Sequence, residues 1–204
     1  MNIAKPGYKW ILGSVVINVL LYLLNLEIIF LASIAMTALF IFFFRDPDRT
    51  SDLNQKGLIS PADGKVIEIK ETKNNKLKIS IFLSILNVHA VRSPLKGEVI
   101  SVRHKKGKKI PAFKKESDKN EKNITKVRDN SNNIYSIELI AGFIARRIFM
   151  YCSKGDQLAK GQKIGFISFG SRVNLLLPEK YSLEDLSIKE GEKIKAGKTK
   201  LVEK

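Results

Sequence analysis

Apolar residues dominate the chain from residue 11 to residue 44, where Glu27 is the single charged side chain. The polar step at residues 25–27 divides this run into two segments, 11–24 and 28–44. Each segment is close to or just below the roughly 17–25 residues that span a bilayer. One long tilted helix and a hairpin of two short helices both fit the pattern.

Cationic side chains flank the apolar run on both sides, with Lys5 and Lys9 before it and Arg45 and Arg49 after it. Such residues mark the cytoplasmic ends of membrane segments. We therefore favour the hairpin and predict that residues 1–50 form an N-terminal membrane anchor with an interfacial segment. This prediction places the protein at a cell membrane, on its cytoplasmic face.

Short runs separated by turn residues replace the helical pattern from residue 58 onward. Residues 65–70, 77–86 and 133–140 are typical of strands, because they are apolar or alternate between apolar and polar positions. Residues 104–129 are lysine-rich and polar, which predicts a surface loop. The sequence thus predicts an α+β, mainly β chain in which a transmembrane helical hairpin precedes a β-rich domain over residues 51–204.

A weak internal repeat indicates the architecture of that domain. Residues 155–161 and 191–197 both have the form Gly-acid-x-aliphatic-x-x-Gly. Two similar hairpin units of this kind are found in lipoyl- and biotinyl-carrier domains, so we expect a barrel-sandwich-like fold. A non-catalytic membrane-anchored adaptor or carrier domain is therefore an alternative function, although no Asp-Lys or Met-Lys-Met hairpin tip is present.

The net charge is +16, with 36 Lys and Arg residues against 20 Asp and Glu residues. Such an excess indicates an anionic partner, which is a nucleic acid, a phospholipid surface or an acidic substrate. The lysines cluster in one predicted loop without interleaved aromatic residues, so we expect no nucleic-acid binding. Anionic membrane lipids explain the charge best. We also expect no metal site.

Three short segments contain residues that are candidates for catalysis. Gly170-Ser171 separates two apolar runs, Asp63 lies in a Ser-Pro-Ala-Asp-Gly turn, and His89 follows a predicted buried strand. Taken singly, each has a simpler structural explanation as a bulge, a turn former or a core histidine. Arg146 and Arg147 interrupt another apolar run, where they either point to opposite faces of a strand or bind an anion such as phosphate.

Together these segments resemble the phosphatidylserine decarboxylase family in its short, membrane-anchored form. The matching stretches follow the family's order across most of the chain, at residues 42–49, 60–66, 87–99, 140–151 and 154–178. The most specific is Phe169-Gly170-Ser171-Arg172-Val173.

The resemblance implies a proenzyme that cuts itself between Gly170 and Ser171 into chains 1–170 and 171–204, which stay together as a heterodimer, with a higher oligomer also conceivable. Ser171 becomes a covalent pyruvoyl cofactor, which accepts electrons as phosphatidylserine loses CO2 and becomes phosphatidylethanolamine. His89 is the expected general acid, and Asp63 matches the family aspartate implicated in self-cleavage. Arg146, Arg147 and Arg172 are candidates for binding the headgroup phosphate, on charge alone.

Three positions depart from the family's pattern, and the first of them departs from its longer bacterial members. Arg92 stands where they have a second histidine, and arginine is a poor base. Either His89 performs both proton transfers, or Asp63 acts without a dedicated second histidine. Asn87, before the histidine, and Asn174, after the cleavage motif, each stand where the family has an aspartate, and both changes remove a charge.

Overall fold

The computed structural model describes residues 2–49, 57–72, 75–108, 110–142, 147–168 and 170–203. The chain divides into two compact units, Met1–Asp48 and Arg49–Lys204. The first unit is mainly helical and the second is mainly β.

Two antiparallel helices make up most of the first unit, α1 (Gly7–Leu23) and α2 (Glu27–Phe43), together with the short paired strands β1 (Asn2–Ile3) and β2 (Arg45–Asp46). The helices turn at Asn25, which has a φ of 53°. The Asn18 amide donates a hydrogen bond to the Thr37 hydroxyl at 3.0 Å, which links the two helices. The predicted helical hairpin is therefore present.

The membrane-spanning part of that prediction is wrong. Each helix has 17 residues, a length of about 26 Å at 1.5 Å per residue, which is less than the hydrocarbon core of about 30 Å. Across the described part of the chain, no helix is both long and apolar enough to cross a membrane. The polar step at residues 25–27 is the reason, because it ends one helix and starts the next. The predicted N-terminal anchor, and the cell-membrane location that rested on it, are not supported.

The second unit consists of short strands joined by turns. They are β3 (Leu58–Ile59), β4 (Gly64–Glu71), β5 (Leu77–Leu83), β6 (Ala90–Arg92), β7 (Gly97–Lys105), β8 (Lys122–Arg128), β9 (Ile134–Ala141), β10 (Ile148–Met150), β11 (Gln157–Leu158), β12 (Lys163–Ile167), β13 (Ser171–Leu176), β14 (Lys193–Ile194) and β15 (Lys200–Val202). The mainly β class predicted from the alternating pattern is confirmed.

Eight of these strands form one antiparallel sheet within the described residues, in the order β11-β7-β8-β9-β13-β5-β4-β14. A smaller sheet, β10-β12-β6, packs on β8 and β9. Apolar side chains from both sheets meet in one core, including Ile137, Leu139 and Val173 from the large sheet and Val91 and Ile167 from the small one. The core therefore lies between the two sheets.

The large sheet is built from two like halves, β4-β5-β13-β14 and β7-β8-β9-β11, which meet between β13 and β9. The turns that lead into β4 and β7 share the sequence Ser-Pro-x-x-Gly, at residues 60–64 and 93–97. In each turn the serine hydroxyl donates to the carbonyl two residues later, at 2.7 Å in the first and 2.6 Å in the second. Both β4 and β7 then contain a β-bulge at the same place, which bends the strand and curls the sheet.

The two Gly-acid segments seen in the sequence occupy matching places at the edges of this sheet. The Gly155 N–H donates to the Val99 carbonyl at 2.7 Å, and the Gly191 N–H donates to the Val66 carbonyl at 2.8 Å. Each of the two glycines has a positive φ, which glycine adopts without strain. The repeat in the sequence thus corresponds to a repeat in the structure.

The prediction of one surface loop over residues 104–129 is wrong in extent and in burial. β7 continues to Lys105 and β8 begins at Lys122, so the connection is shorter. Within it, Ala112, Ser117 and Asn120 are buried. The connection folds over the large sheet on the side away from the core, and its lysine-rich composition concealed these few small anchoring residues.

Candidate active site

The Gly170–Ser171 bond lies at the start of β13, an interior strand of the large sheet. Ser171 is paired with Ala141 at the end of β9 and with Leu83 at the end of β5. The bond therefore sits at one end of the sheet, in the connection through which the chain passes from the small sheet to the large one. Phe169, part of the predicted motif, lies outside the described residues.

The Ser171 hydroxyl points into the core. Side chains alternate along a strand, so Ser171 shares the face of Val173 and Leu175, which are core residues. Ser171 is fully buried, and within the described part of the chain its Oγ has no hydrogen-bond partner. A buried hydroxyl without a partner costs roughly 1–3 kcal/mol, and such a group calls for an explanation. A nucleophile whose target is the adjacent backbone carbonyl provides one.

The Gly170 carbonyl is held in close contact with Gly142. A Cβ placed on Gly142 would lie 2.0 Å from the Gly170 oxygen and 3.3 Å from the Ala112 Cβ. Gly170 itself has a φ of 60°, in the left-handed region that favours glycine. The carbonyl next to Ser171 is thus fixed by a contact that only a glycine at position 142 permits.

His89 is fully buried immediately before β6, in the small sheet. Its Nδ1 lies 2.9 Å from the carbonyl oxygen of Asn87. Since a carbonyl only accepts hydrogen bonds, Nδ1 carries the proton of the neutral ring and Nε2 is left as the basic nitrogen. The His89 carbonyl accepts a hydrogen bond from the Ile167 N–H at 3.2 Å, which ties His89 to the strand that leads to Gly170–Ser171.

Asp63 is buried directly before β4, at the same end of the large sheet as Ser171. Its carboxylate forms a two-pronged ion pair with the Arg49 guanidinium, in which the second hydrogen bond, from Nη2, measures 2.8 Å. The Ala196 N–H donates a further hydrogen bond at 2.8 Å. β5 lies between β4 and β13, so Asp63 and Ser171 lie at the same end of the sheet with one strand between them.

The repeat in the fold shows that the turn does not need Asp63. In the second Ser-Pro-x-x-Gly turn the equivalent position is Lys96, and the serine hydrogen bond and the glycine contact are the same. A turn-forming role therefore does not account for the acid at this position. The Ser-Pro-x-x-Gly repeat is a signal that the sequence offered and that would have strengthened the assignment of Asp63.

Arg92, in place of a second histidine, is buried and structural in its contacts. Its Nη1 donates to the Gly161 carbonyl at 2.9 Å, and its backbone N–H donates to the Pro61 carbonyl at 2.8 Å. Arg92 thus joins the turn that contains Asp63 to the Gly-acid segment.

Arg172 points to the opposite face of β13 from Ser171 and is almost fully buried beneath the connection between β7 and β8. Its guanidinium donates to Ser80 at 2.8 Å, to Ser117 at 3.1 Å and to Glu68 at 3.3 Å. Its Nε donates to the Asn174 side chain at 2.8 Å. In this arrangement Arg172 holds the covering connection onto the sheet.

Asn174 belongs to the same polar cluster. Its amide nitrogen donates to two carboxylates, to Asp118 at 3.0 Å and to Glu138 at 2.9 Å. An aspartate here would bring a third carboxylate into a buried site and remove both donors. The neutral side chain at position 174 therefore suits the acids around it.

Of the two remaining predicted arginines, only Arg147 belongs to the described residues. Arg147 is exposed, and its carbonyl accepts a hydrogen bond from the Ser168 N–H at 3.3 Å, close in sequence to Gly170. Arg146 lies outside the described residues. The structure thus brings Asp63, Ser171 and Arg147 to one end of the fold, and it adds Gly142 and Arg49, which sequence reasoning missed.

Comparison with known proteins gives extensive matches. The phosphatidylserine decarboxylase family model matches residues 36–201. A protein of Methanococcoides burtonii, provisionally named archaetidylserine decarboxylase proenzyme, is 34% identical over 209 residues, which cover 99% of this chain and 96% of that protein. A phosphatidylserine decarboxylase proenzyme of Geobacter metallireducens is 37% identical over 208 residues, or 97% and 94% of the two chains. The counterpart in Streptomyces coelicolor is 38% identical over 167 residues, or 82% and 74%.

Proposed function

Because the chain belongs to the phosphatidylserine decarboxylase family, we propose that it is a proenzyme that cuts its own Gly170–Ser171 bond and then releases CO2 from the serine headgroup of a lipid. Family membership makes the chain a carboxy-lyase, which displaces the alternative of a non-catalytic adaptor or carrier. The observation that supports self-cleavage is the buried Ser171 hydroxyl, which has no partner among the described residues and lies next to the Gly170 carbonyl.

Self-cleavage needs only atoms of this chain and one water molecule. The Ser171 Oγ attacks the carbonyl carbon of Gly170, the C–N bond breaks, and an ester joins the two residues. Loss of the Cα proton of residue 171 then breaks the Cβ–O bond and leaves a carboxylate on Gly170. Water replaces the nitrogen of residue 171, and ammonia departs. The products are chain 1–170 and chain 171–204, which begins with a pyruvoyl group.

We assign the proton transfers to His89. Its Nδ1 donates to Asn87, so Nε2 is the nitrogen that receives the Ser171 proton in self-cleavage. Asp63 orients the base or polarises Ser171, and Arg49 fixes the position of its carboxylate. Since Arg92 is a poor base, this assignment gives His89 both steps, self-cleavage and decarboxylation.

The position of residue 171 suits a pyruvoyl group, because the side chain lies in a dry core at the end of a strand. Once formed, this group supplies a carbonyl that binds the substrate amine and takes up the electrons of the breaking bond to CO2. His89 then donates a proton to the carbon that has lost CO2. Arg147, exposed beside the site, is the described cation best placed for the headgroup phosphate.

The lipid class is tested by comparing two substrates. Relatives named for archaetidylserine and for phosphatidylserine match this chain at similar identity, 34% and 37%. Both lipids present the same serine headgroup, on which the proposed chemistry acts. We expect release of CO2 from either lipid, with a difference between them only in apparent KM.

Intact-protein mass spectrometry tests the self-cleavage directly. We expect two chains that divide between Gly170 and Ser171, with the smaller chain lighter than its encoded mass by one ammonia. Ser171→Ala should give a single uncut chain without activity. Ser168→Ala is the matched control, because it removes a hydroxyl from the same connection and should still process. Release of CO2 by the Ser171→Ala variant would refute the proposal.

A further inference from the structure

Exposed apolar side chains of the second unit gather around the cleavage site. Among its described residues, five large hydrophobic side chains are exposed: Ile85 (54%), Leu86 (64%), Phe113 (61%), Ile134 (40%) and Leu183 (51%). The first three, which we name the apolar rim, lie on two segments that border the Gly170–Ser171 bond. The other two lie away from this end of the sheet, so the clustering is specific to the site.

Ile85 and Leu86 form the tip of a tight turn that continues directly into His89. The turn follows Leu83, the residue paired with Ser171. The Asn87 side chain closes it by accepting hydrogen bonds from the Ser84 N–H at 2.9 Å and the Ser84 hydroxyl at 2.7 Å. The Asn87 carbonyl in turn accepts the hydrogen bond from His89. The apolar tip and the proposed acid–base residue are thus parts of one rigid local structure.

Phe113 approaches the same bond from the connection between β7 and β8. Its ring packs edge-on against Phe82, with ring centres 6.1 Å apart. The preceding residue, Ala112, is buried beside Gly142, which contacts the Gly170 carbonyl. Phe113 is therefore held at the site by its neighbours while most of its ring faces solvent.

Cationic side chains stand next to the apolar rim. Lys114 follows Phe113 and is exposed, and Arg147 is exposed beside the connection to Gly170. Apolar tips with cations beside them suit the boundary between hydrocarbon chains and phosphate groups. The centres of protein–protein interfaces are instead depleted of charge, which makes a second copy of this chain a poorer fit.

We propose that Ile85, Leu86 and Phe113 bind the hydrocarbon chains of the lipid substrate next to its headgroup, so that the serine reaches residue 171 and His89. This inference rests on the proposed function and adds a substrate-binding surface to it. The protein would then recognise the hydrocarbon chains of its substrate as well as the serine headgroup. The chemistry at residue 171 involves only the headgroup.

A comparison of two phosphatidylserines tests the apolar rim in the full-length, self-cleaved protein. One substrate is the dioleoyl lipid in vesicles, and the other is the dihexanoyl lipid, kept monomeric in solution. The double variant Ile85→Ser with Leu86→Ser should raise the apparent KM for the dioleoyl lipid at least tenfold and change kcat little. The same variant should alter the KM for the dihexanoyl lipid less than threefold, because its chains bury little surface.

The matched control is Ile134→Ser with Leu183→Ser, which removes the two exposed hydrophobic residues away from the site and should leave both KM values unchanged. Equal effects of the two double variants, or equal effects on both lipids, would overturn the proposal. A change in oligomeric state of the rim variant in size-exclusion chromatography would also overturn it, in favour of a contact between copies. Failure of the unmodified protein to cut itself or to release CO2 would instead refute the proposed function.

Discussion

At the scale of single residues, the absence of a side chain at Gly142 lets the Gly170 carbonyl, part of the bond proposed to be cut, pack against it. The Gly170 carbonyl occupies the space that a Cβ at position 142 would need. The contact limits where the carbonyl can move, and the attack by Ser171 depends on its position. In the proposed self-cleavage, Gly142 is therefore a positioning residue.

We expect Gly142→Ala to slow self-cleavage at least tenfold, because the added methyl group displaces the Gly170 carbonyl from Ser171. Intact mass followed over time measures the rate. Gly13→Ala serves as control, since a Cβ there meets nothing within 4 Å and Gly13 lies in α1. The expectation fails if Gly142→Ala folds, as judged by circular dichroism, and processes at the unmodified rate.

Asp63 and Arg49 form a buried ion pair. Its contribution to stability and its contribution to the proposed self-cleavage can be measured separately. Asp63→Asn leaves the Arg49 guanidinium without its counter-charge, a change that costs about 3–5 kcal/mol at buried sites. We expect this variant to be destabilised and to process at least tenfold more slowly. Urea denaturation and intact mass give the two quantities.

Replacing both partners distinguishes structure from chemistry. Asp63→Leu with Arg49→Met removes the pair together, which is often nearly neutral for stability. We expect stability to recover in this variant while self-cleavage stays slow. Recovery of both would show that Asp63 serves only as the partner of Arg49.

At the scale of elements, the outer face of the large sheet is held by charges rather than by apolar packing. Lys78 donates to Asp118 at 2.7 Å, and Arg172 lies 3.3 Å from Glu68. Burial by itself raises the pKa of the Asp118 carboxyl, but hydrogen bonds from Lys78 and Asn174 and the charge of Arg172 outweigh it and lower that pKa. The pKa of Glu68 is lowered in the same way, against its burial, by Lys70, Lys78 and Arg172.

This cluster predicts a loss of stability in acid. Since both carboxyl pKa values are lower in the folded chain, the unfolded chain binds more protons as the pH falls below about 5. The stabilisation is complete above that pH and is lost progressively as the pH falls further, through the folded pKa values. Urea midpoints of the uncut Ser171→Ala protein at pH 6 and pH 3.5 should show the decrease. Asp118→Asn should make it smaller, and an unchanged decrease in that variant would exclude Asp118 as a source.

At the scale of the whole molecule, the smaller chain that the proposed self-cleavage would produce contains an interior strand of the large sheet. β13 is registered over six residue pairs with β5 and six with β9, both of which belong to the larger chain. β14 and β15 pair with β4 and β3 of that chain as well. We therefore expect a cut between Gly170 and Ser171 to leave these strand pairings in place.

We expect the cleaved chains to remain together as one complex. They should co-elute in size-exclusion chromatography and separate only in denaturant, because release of β13 would break hydrogen bonds on both of its edges. High salt should not separate them, since the strand pairing and the core are not ionic. Dissociation in salt alone would contradict this view of the interface.

The sequence predicted the local elements of this molecule better than it predicted the tertiary contacts between them. The break at residues 25–27 predicted the helical hairpin, alternation predicted β4 and β9, and an apolar run predicted β5. The order of short motifs pointed to Asp63, His89 and Ser171. The membrane span failed because two helices of 17 residues were each taken as long enough.

Gly142 and Arg49 could not be predicted, because their roles depend on residues far away in the sequence. Nothing next to Gly142 in the chain indicates that Gly170 lies against it, and Arg49 and Asp63 are 14 residues apart in the sequence. The composition of residues 104–129 predicted a solvent-exposed loop. Three small buried residues within it instead determine where that connection lies on the sheet.

The order of the strands in the large sheet has a consequence for how the molecule folds. β7, β8 and β9 are joined by local connections, whereas β13 must arrive from a distant part of the chain to insert between β9 and β5. Contacts between sequence-distant segments form slowly. Only after that insertion do Ser171 and the Gly170 carbonyl meet their neighbours, so self-cleavage should lag behind β-sheet formation when the chain is refolded from urea. Under the proposed function, a chain whose large sheet is incomplete would therefore not cut itself and would not gain its pyruvoyl group.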